Sequence, residues 1–398
     1  MHRSNSPESA RQSTRFLYLY ALAVAGGSVA YVPLLTILLP LHVNKFAGAG
    51  ALTLLSYIAF AGAVSASVAN IAFGWASDIS KSRRGWIWAG LLLSSALLLA
   101  IPRATEAAAI ILLIVCWQLA LNMMLAPLLA WAGDVVPDAQ KGMLGGLMAF
   151  APAMGALSGA LVTTQGLIPE SDRLFWVAMI VITLVAPVLV FGKPVEMPQL
   201  MQVRDDEADN NAITQSKASV WRMWIARLLV QIAEASLFAF LLMWFRSIEQ
   251  GFGENRAAAI FAFVLGAAVL FALYVGRWSD RHNRPIAPLV VCSGIAALGL
   301  MVMSIADNWV TAIAGYVAFG LSSSIFLALH SSQTLRVLPK PGHRGRDLGI
   351  FNLTNTVPSL IMPWLTLALV PVYGFGALFL LLALLAAIAC WLLIRMPD

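Results

Sequence analysis

The stretch GRWSDRHNRP, residues 276–285, sets an aspartate and three arginines inside a chain that is 60% hydrophobic. A looser copy, GWASDISKSRR, occupies residues 74–84. Each runs Gly, three residues, Asp, then a basic cluster, and each lies between long apolar runs. Charged punctuation repeated half a chain apart points to a duplicated unit, and the apolar runs around it say what that unit is made of.

Only 11% of the 398 residues are charged, against about 25% in a soluble domain. The chain is built from apolar stretches of the length that spans a bilayer, so a multi-pass membrane protein is expected. The net charge of +6 is then read as topological Lys and Arg rather than as a nucleic-acid footprint. The cysteines, Cys116, Cys292 and Cys390, sit inside apolar runs with no CxxC or metal-ligand spacing, so neither disulfides nor a metal site is expected. No GxxxxGK[ST] occurs, and no cofactor is implied. The polar start, MHRSNSPESARQSTR, is long for a signal-peptide n-region and reads as a cytoplasmic tail leading into a retained first helix.

Apolar segments fall at 16–42, 51–75, 86–102, 108–132, 143–167, 174–192, 223–245, 257–277, 286–306, 309–333, 349–371 and 374–394, free of charge but for Arg227 and Glu234 in the seventh and Arg277 at the end of the eighth. They are apolar all round, without a period of two, which favours helices over barrel strands. The last boundary rests on a short turn near Pro371–Gly374. With the N-terminus inside, only Lys45, Arg103, Arg173, Arg246 and Arg256 of the 25 Lys and Arg fall outside. Miscounting one helix would destroy that bias. Residues 193–222 are polar, acidic in part and without apolar periodicity, and read as a flexible cytoplasmic linker. The expected architecture is an all-α membrane protein of twelve transmembrane helices in two pseudo-symmetric halves, 1–192 and 223–398. A second echo supports the duplication: DVVPDAQKGMLGGLMAFAP (134–152) and RVLPKPGHRGRDLGIFNLTNTVP (336–358) occupy matching places.

Taken together, the halves, the linker and the loop after the second helix of each half resemble the major facilitator superfamily of transporters over nearly the whole chain. That family's loop has the form Gly-x-x-x-Asp-Arg/Lys-x-Gly-Arg-Arg/Lys. The second copy matches with Gly276, Asp280, Arg281 and Arg284, with Asn283 where Gly is usual. The first keeps Gly74 and Asp78 but delays its bases to Lys81, Arg83 and Arg84. GRDLGIFNLTNTVPSLIMP also resembles the sugar-cation symporter branch, but helix 2 lacks the aspartates that branch uses for cation coupling. The resemblance implies that Asp78 and Asp280 cap a neighbouring helix across the boundary between halves. Gly74, Arg83, Gly276, Arg281 and Arg284 are then gate residues, some of the arginines being topological anchors as well.

Of the 19 Asp and Glu, only Glu234 falls at mid-span. An ionisable group there costs about 2.5–3.5 kcal/mol and usually faces a cavity. A carboxyl group so placed can bind and release a proton. Gln231 and Arg227 lie three and seven residues before it on the same helical face. Glu234 is the candidate proton site or substrate ligand, Gln231 a substrate ligand, and Arg227 their partner nearer the cytoplasm. A structural Glu–Arg or Glu–Gln bond between helices is the competing reading. Gln118, Asn122, Tyr20, Tyr31 and Ser324 are further candidates, since amides, hydroxyls and rings suit a sugar or polyol. They serve equally as polar glue between helices. His330, near a span end, is expected to be solvated.

The function expected is secondary active transport of a small polar solute, a sugar or related metabolite, by alternating access with proton coupling. The protein would be a monomer in a bacterial inner membrane with both termini cytoplasmic. A proton-antiport exporter of drugs or amphipathic metabolites is the first alternative, since Met123, Met124 and many aromatics suit a greasy pocket. A non-transporting sensor is the second. No clustered nucleophile and base lies at depth, so an enzyme is not expected.

Overall fold

The computed structural model of the chain describes residues 11–47, 50–164, 166–197, 200, 210–249, 254–338 and 341–396. The tail residues 1–10 and the linker residues 198–199 and 201–209 lie outside the described residues. Among the described residues the fold is helical throughout, without strands. Helix α1 spans Thr14–Ala47 and passes through a π-helical turn, Leu34–Leu38, directly after Pro33. Proline removes one backbone donor, and the wider turn absorbs the lost bond without ending the helix.

The first half continues with α2 (Ala51–Ser80), α3 (Arg83–Ala100), α4 (Ala107–Val135), α5 (Asp138–Thr163, with a break at Ala149) and α6 (Arg173–Phe191). The second half holds α7 (Asn210–Ile248), α8 (Glu254–His282), α9 (Ala287–Ser304) and α10 (Trp309–Val337). A final helical element, Arg344–Ile394, is interrupted at Gly374 (φ 75°, ψ 177°). The part before the interruption is α11 and the part after it α12. Glycine alone adopts that backbone freely, which is why the turn falls there.

These are the twelve helices in two halves that the apolar segments predict. The largest difference is at α7, which begins at Asn210, inside the polar segment read as linker, so the C-terminal part of that segment is helical. Polar residues extend a helix once its apolar continuation is anchored by packing, and periodicity cannot detect such an extension. Among the described residues, ten helices are long and apolar enough to cross a membrane.

Within the first half, α1 packs on α5 and α6, and α2 and α3 pack on α4; within the second, α7 packs on the Arg344–Ile394 element, and α8 and α9 pack on α10. Between the halves, α2 meets α11 and α5 meets α8. The duplication maps α2 onto α8 and α5 onto α11, so these two contacts are one seam made twice. Between the seams lies the cavity.

Candidate functional site

The seams close one end of the bundle, where Arg83, Arg336 and Arg344 gather. A Cβ on Gly74 would lie 2.1 Å from the carbonyl oxygen of Gly345, and one on Gly276 would lie 2.1 Å from that of Gly142. One turn along, Gly349 meets the backbone of Ile71 and Gly146 that of Leu273. Backbone touches backbone at both seams, and only glycine leaves the room. The repeated Gly of the loop motif is a packing residue.

That approach brings the aspartates to their targets. Asp78, on α2, accepts from the N–H groups of Gly345 and Arg346, both at 3.0 Å, at the start of α11. Asp280, on α8, accepts from Gly142 at 2.9 Å and Met143 at 2.8 Å on α5. A carboxylate beside the N-terminal turns of a helix meets backbone donors and the positive end of its dipole. Arg83 pairs with Asp78 at 2.6 Å and also with Asp134 at 2.9 Å on α4. Arg281 and Arg284 are exposed, and it is Arg336, at the end of α10, that pairs with Asp280 at 3.0 Å.

The halves differ here by a charge swap. In DVVP and RVLP, Asp134 and Arg336 hold the same place. Arg344 therefore finds a carboxylate across the seam, Asp134 at 3.3 Å. Its counterpart Lys141 faces an arginine instead; it donates to the carbonyl of Leu335 at 3.2 Å and to Asp138 at 2.6 Å. Sequence reasoning passed over Arg336, Arg344 and Asp134, although the aligned echo held the signal.

Asn283 occupies the left-handed region (φ 51°), and so does Lys81 at the matching place (φ 52°). Asparagine tolerates that conformation almost as glycine does. Its replacement of the motif's Gly is therefore conservative, while Lys81 carries the strain.

Above the closed end, a cavity of about 520 Å³ lies between the halves. Tyr31, Gln118, Asn122, Arg227, Gln231, Glu234 and Ser324 all line it, together with polar residues the sequence did not single out, such as Asn70 and Ser331. Asn70 donates to Asn122 Oδ1 at 2.8 Å, and Asn122 donates to the Gln118 carbonyl at 2.9 Å, so an amide chain runs from α2 to α4. The Glu234 carboxylate makes no hydrogen bond or ion pair among the described residues, and Gln231 Oε1 is buried without a partner. The structural Glu–Arg bond weighed above is thus absent: Arg227 instead donates to the Leu327 carbonyl (3.3 Å), Ser331 Oγ (3.0 Å), His330 Nδ1 (3.4 Å) and Asn355 Oδ1 (3.2 Å), tying α7 to α10 and α11.

Two placements depart from expectation. Tyr20 lines only a smaller chamber of about 90 Å³ beneath the main cavity, and its hydroxyl donates to the Leu128 carbonyl at 2.9 Å. His330 is fully buried, not solvated, with Nε2 on the Met223 carbonyl at 3.0 Å. Arginine can only donate, so Nδ1 is an acceptor and the ring is the neutral Nε2–H tautomer. A helix end reads as wet in one dimension, but α7 crosses over this one.

Residues 223–398 match the family model described as Major Facilitator Superfamily. Two uncharacterized MFS-type transporters of Mycobacterium tuberculosis (strains CDC 1551 / Oshkosh and ATCC 25618 / H37Rv) are each 25% identical over 235 residues, 57% of this chain. The chain spans 51% of the length of these curated relatives. The fold matches the human organic anion transporter MFSD10 with a TM-score of 0.75 and 13% identity, over 95% of this chain and 99% of that one. It matches the proton:xylose symporter XylE with a TM-score of 0.75 and 12% identity, over 96% of each chain. The family match thus covers the C-terminal half, and over its whole length the chain has the fold of the solved major facilitator superfamily structures.

Proposed function

We propose that the protein is a proton-coupled carrier that moves a small polar solute, a sugar or related metabolite, by alternating access. The observation that carries this reading is the unpartnered Glu234 carboxylate on the wall of a closed-ended cavity between the halves. A carboxylate with no hydrogen bond or ion pair inside a bilayer-spanning helix is expensive, and a transported proton is the simplest way to discharge it. Gln118, Asn122, Gln231 and Ser324 offer donors and acceptors to hydroxyl groups, and Tyr31 offers a ring. The latches of Asp78 and Asp280 hold the basic end closed, and both break when the halves rock apart. The structural relative XylE is a proton:xylose symporter, which fits the same reading.

In this account the basic end faces the cytoplasm, with both termini there, and the protein is a monomer in a bacterial inner membrane. Proton-antiport export of amphipathic compounds is the second reading. It is favoured by Leu121, Leu125, Leu128, Leu129 and Met148, which make one wall of the cavity apolar.

Reconstitution into proteoliposomes tests the proposal. A pH gradient drives accumulation of the solute by wild-type protein. Glu234→Gln abolishes accumulation and leaves solute exchange between the two sides intact. Undiminished gradient-driven accumulation by Glu234→Gln would remove the coupling role.

A further inference from the structure

Arg227 stands apart from the other interior arginines. At the closed end Arg83 pairs with Asp78 and Asp134, Arg336 with Asp280, and Arg344 with Asp134. Arg227 has no ion-pair partner among the described residues; its four acceptors are neutral. Glu234 acts on it through space but makes no ion pair with it, so the guanidinium has no anion in contact. It also stands at a junction, lining both the main cavity and the smaller chamber.

Its surroundings complete a receptor of donors. Arg227 can only donate, so the Asn355 atom 3.2 Å from it is the amide oxygen. Asn355 Nδ2 must then be the donor to Asn352 Oδ1, at 2.8 Å. That fixes Asn352 with its NH2 group free, and Asn352 also lines both spaces. Of the five guanidinium N–H groups, the Nε–H and one on Nη2 have no protein acceptor among the described residues. Donors without acceptors converge on the floor of the cavity. A neutral polyol would call for a mixed set there.

We propose that the transported solute carries one negative charge, a carboxylate or an equivalent oxyanion, and that this group seats on Arg227 and the Asn352 amide. The inference deepens the proton-coupled reading above and rests on it. The chamber of about 90 Å³ takes a head group, while the polar body of the solute occupies the main cavity towards Gln231 and Glu234. Glu234 lies seven residues on, about 10 Å along the axis at about 1.5 Å per residue. Charge balance favours the assignment. The empty cavity holds Arg227 positive and Glu234 negative, a net of zero. The loaded cavity holds Arg227 positive, the solute negative and Glu234 protonated, again zero. A neutral solute carried with a proton would leave the loaded cavity at one positive charge in the bilayer centre, which is costly.

Matched pairs of acid and neutral twin test this on the purified full chain: gluconate with glucitol, glucuronate with glucose, glycerate with glycerol, and lactate with propane-1,2-diol. Thermal stabilisation is expected for at least one acid, with its twin inactive at tenfold higher concentration. Arg227→Gln should weaken that acid at least tenfold, and Arg227→Lys less. The wild-type comparison decides the matter even if Arg227→Gln does not fold. Stabilisation by a neutral twin alone, equal stabilisation by both twins, or no acid acting at all overturns the proposal. The bound acid is then carried into proteoliposomes by a pH gradient, at a rate that a valinomycin potassium potential does not change. A neutral twin accumulated by the gradient would overturn the anion site and leave the carrier standing. An acid that binds but is never accumulated would leave the anion site and remove the carrier reading.

Discussion

Replacing Gly74 by alanine tests the seam. The new Cβ would lie 2.1 Å from the Gly345 oxygen, whereas ordinary contact begins at 3.4 Å, so α2 and α11 must part by about 1.3 Å. The two 3.0 Å hydrogen bonds that Asp78 accepts would stretch to roughly 4.3 Å, beyond hydrogen-bonding range. Taking the low end of each effect, overpacking costs about 1 kcal/mol and loss of one charge-assisted bond about 1.5 kcal/mol. The sum, about 2.5 kcal/mol, lowers the ratio of closed to open protein about 60-fold, since about 1.4 kcal/mol is tenfold. Nitroxides at Ile79 and His343, both exposed and on opposite sides of the seam, report the change by double electron–electron resonance once the native cysteines are replaced. Wild-type protein should give a short distance, and Gly74→Ala should give a population at least 10 Å longer. Gly342→Ala is the control: three residues from Gly345, its Cβ would meet nothing within 4 Å, and the distances should not change. A folded Gly74→Ala protein with the wild-type distance distribution would refute the reasoning.

Asp134→Asn strips the shared carboxylate from Arg83 and Arg344 and should lower thermal stability by the equivalent of about 3 kcal/mol, read from a melting curve in detergent. Tyr20→Phe removes the hydroxyl bonded to Leu128 and should cost about 1 kcal/mol with the solute's half-saturation concentration unchanged; a large change there would give Tyr20 a ligand role instead. Lys81→Gly should raise stability by up to about 1 kcal/mol, and Asn283→Val should lower it by more than about 1 kcal/mol, since both positions need left-handed backbone.

The helices and their pairing into halves were legible because apolar length and the placement of Lys and Arg are one-dimensional signals. Gly374 ends α11 where the short turn was read. Glu234 was legible for a related reason: a single carboxylate in mid-span stands out against an apolar background. The partners were not legible. Arg281 adjoins Asp280 in the chain yet is exposed, because the helix carries its side chain away from the seam, while Arg336 arrives from α10. Asn70, on α2, was passed over because its part in the site shows only once the fold places Asn122 of α4 2.8 Å away. His330 was misread because burial at a helix end depends on which helix crosses it.

The central claim is that solute and proton cross together through the cavity that holds Glu234. The most direct measurement is the external pH of a lightly buffered suspension of proteoliposomes when the transported solute is added without any imposed gradient. Alkalinisation is predicted for wild-type protein acting as a symporter, abolished by a protonophore and absent in Glu234→Gln. Solute entry by the wild type with no pH change would contradict the account.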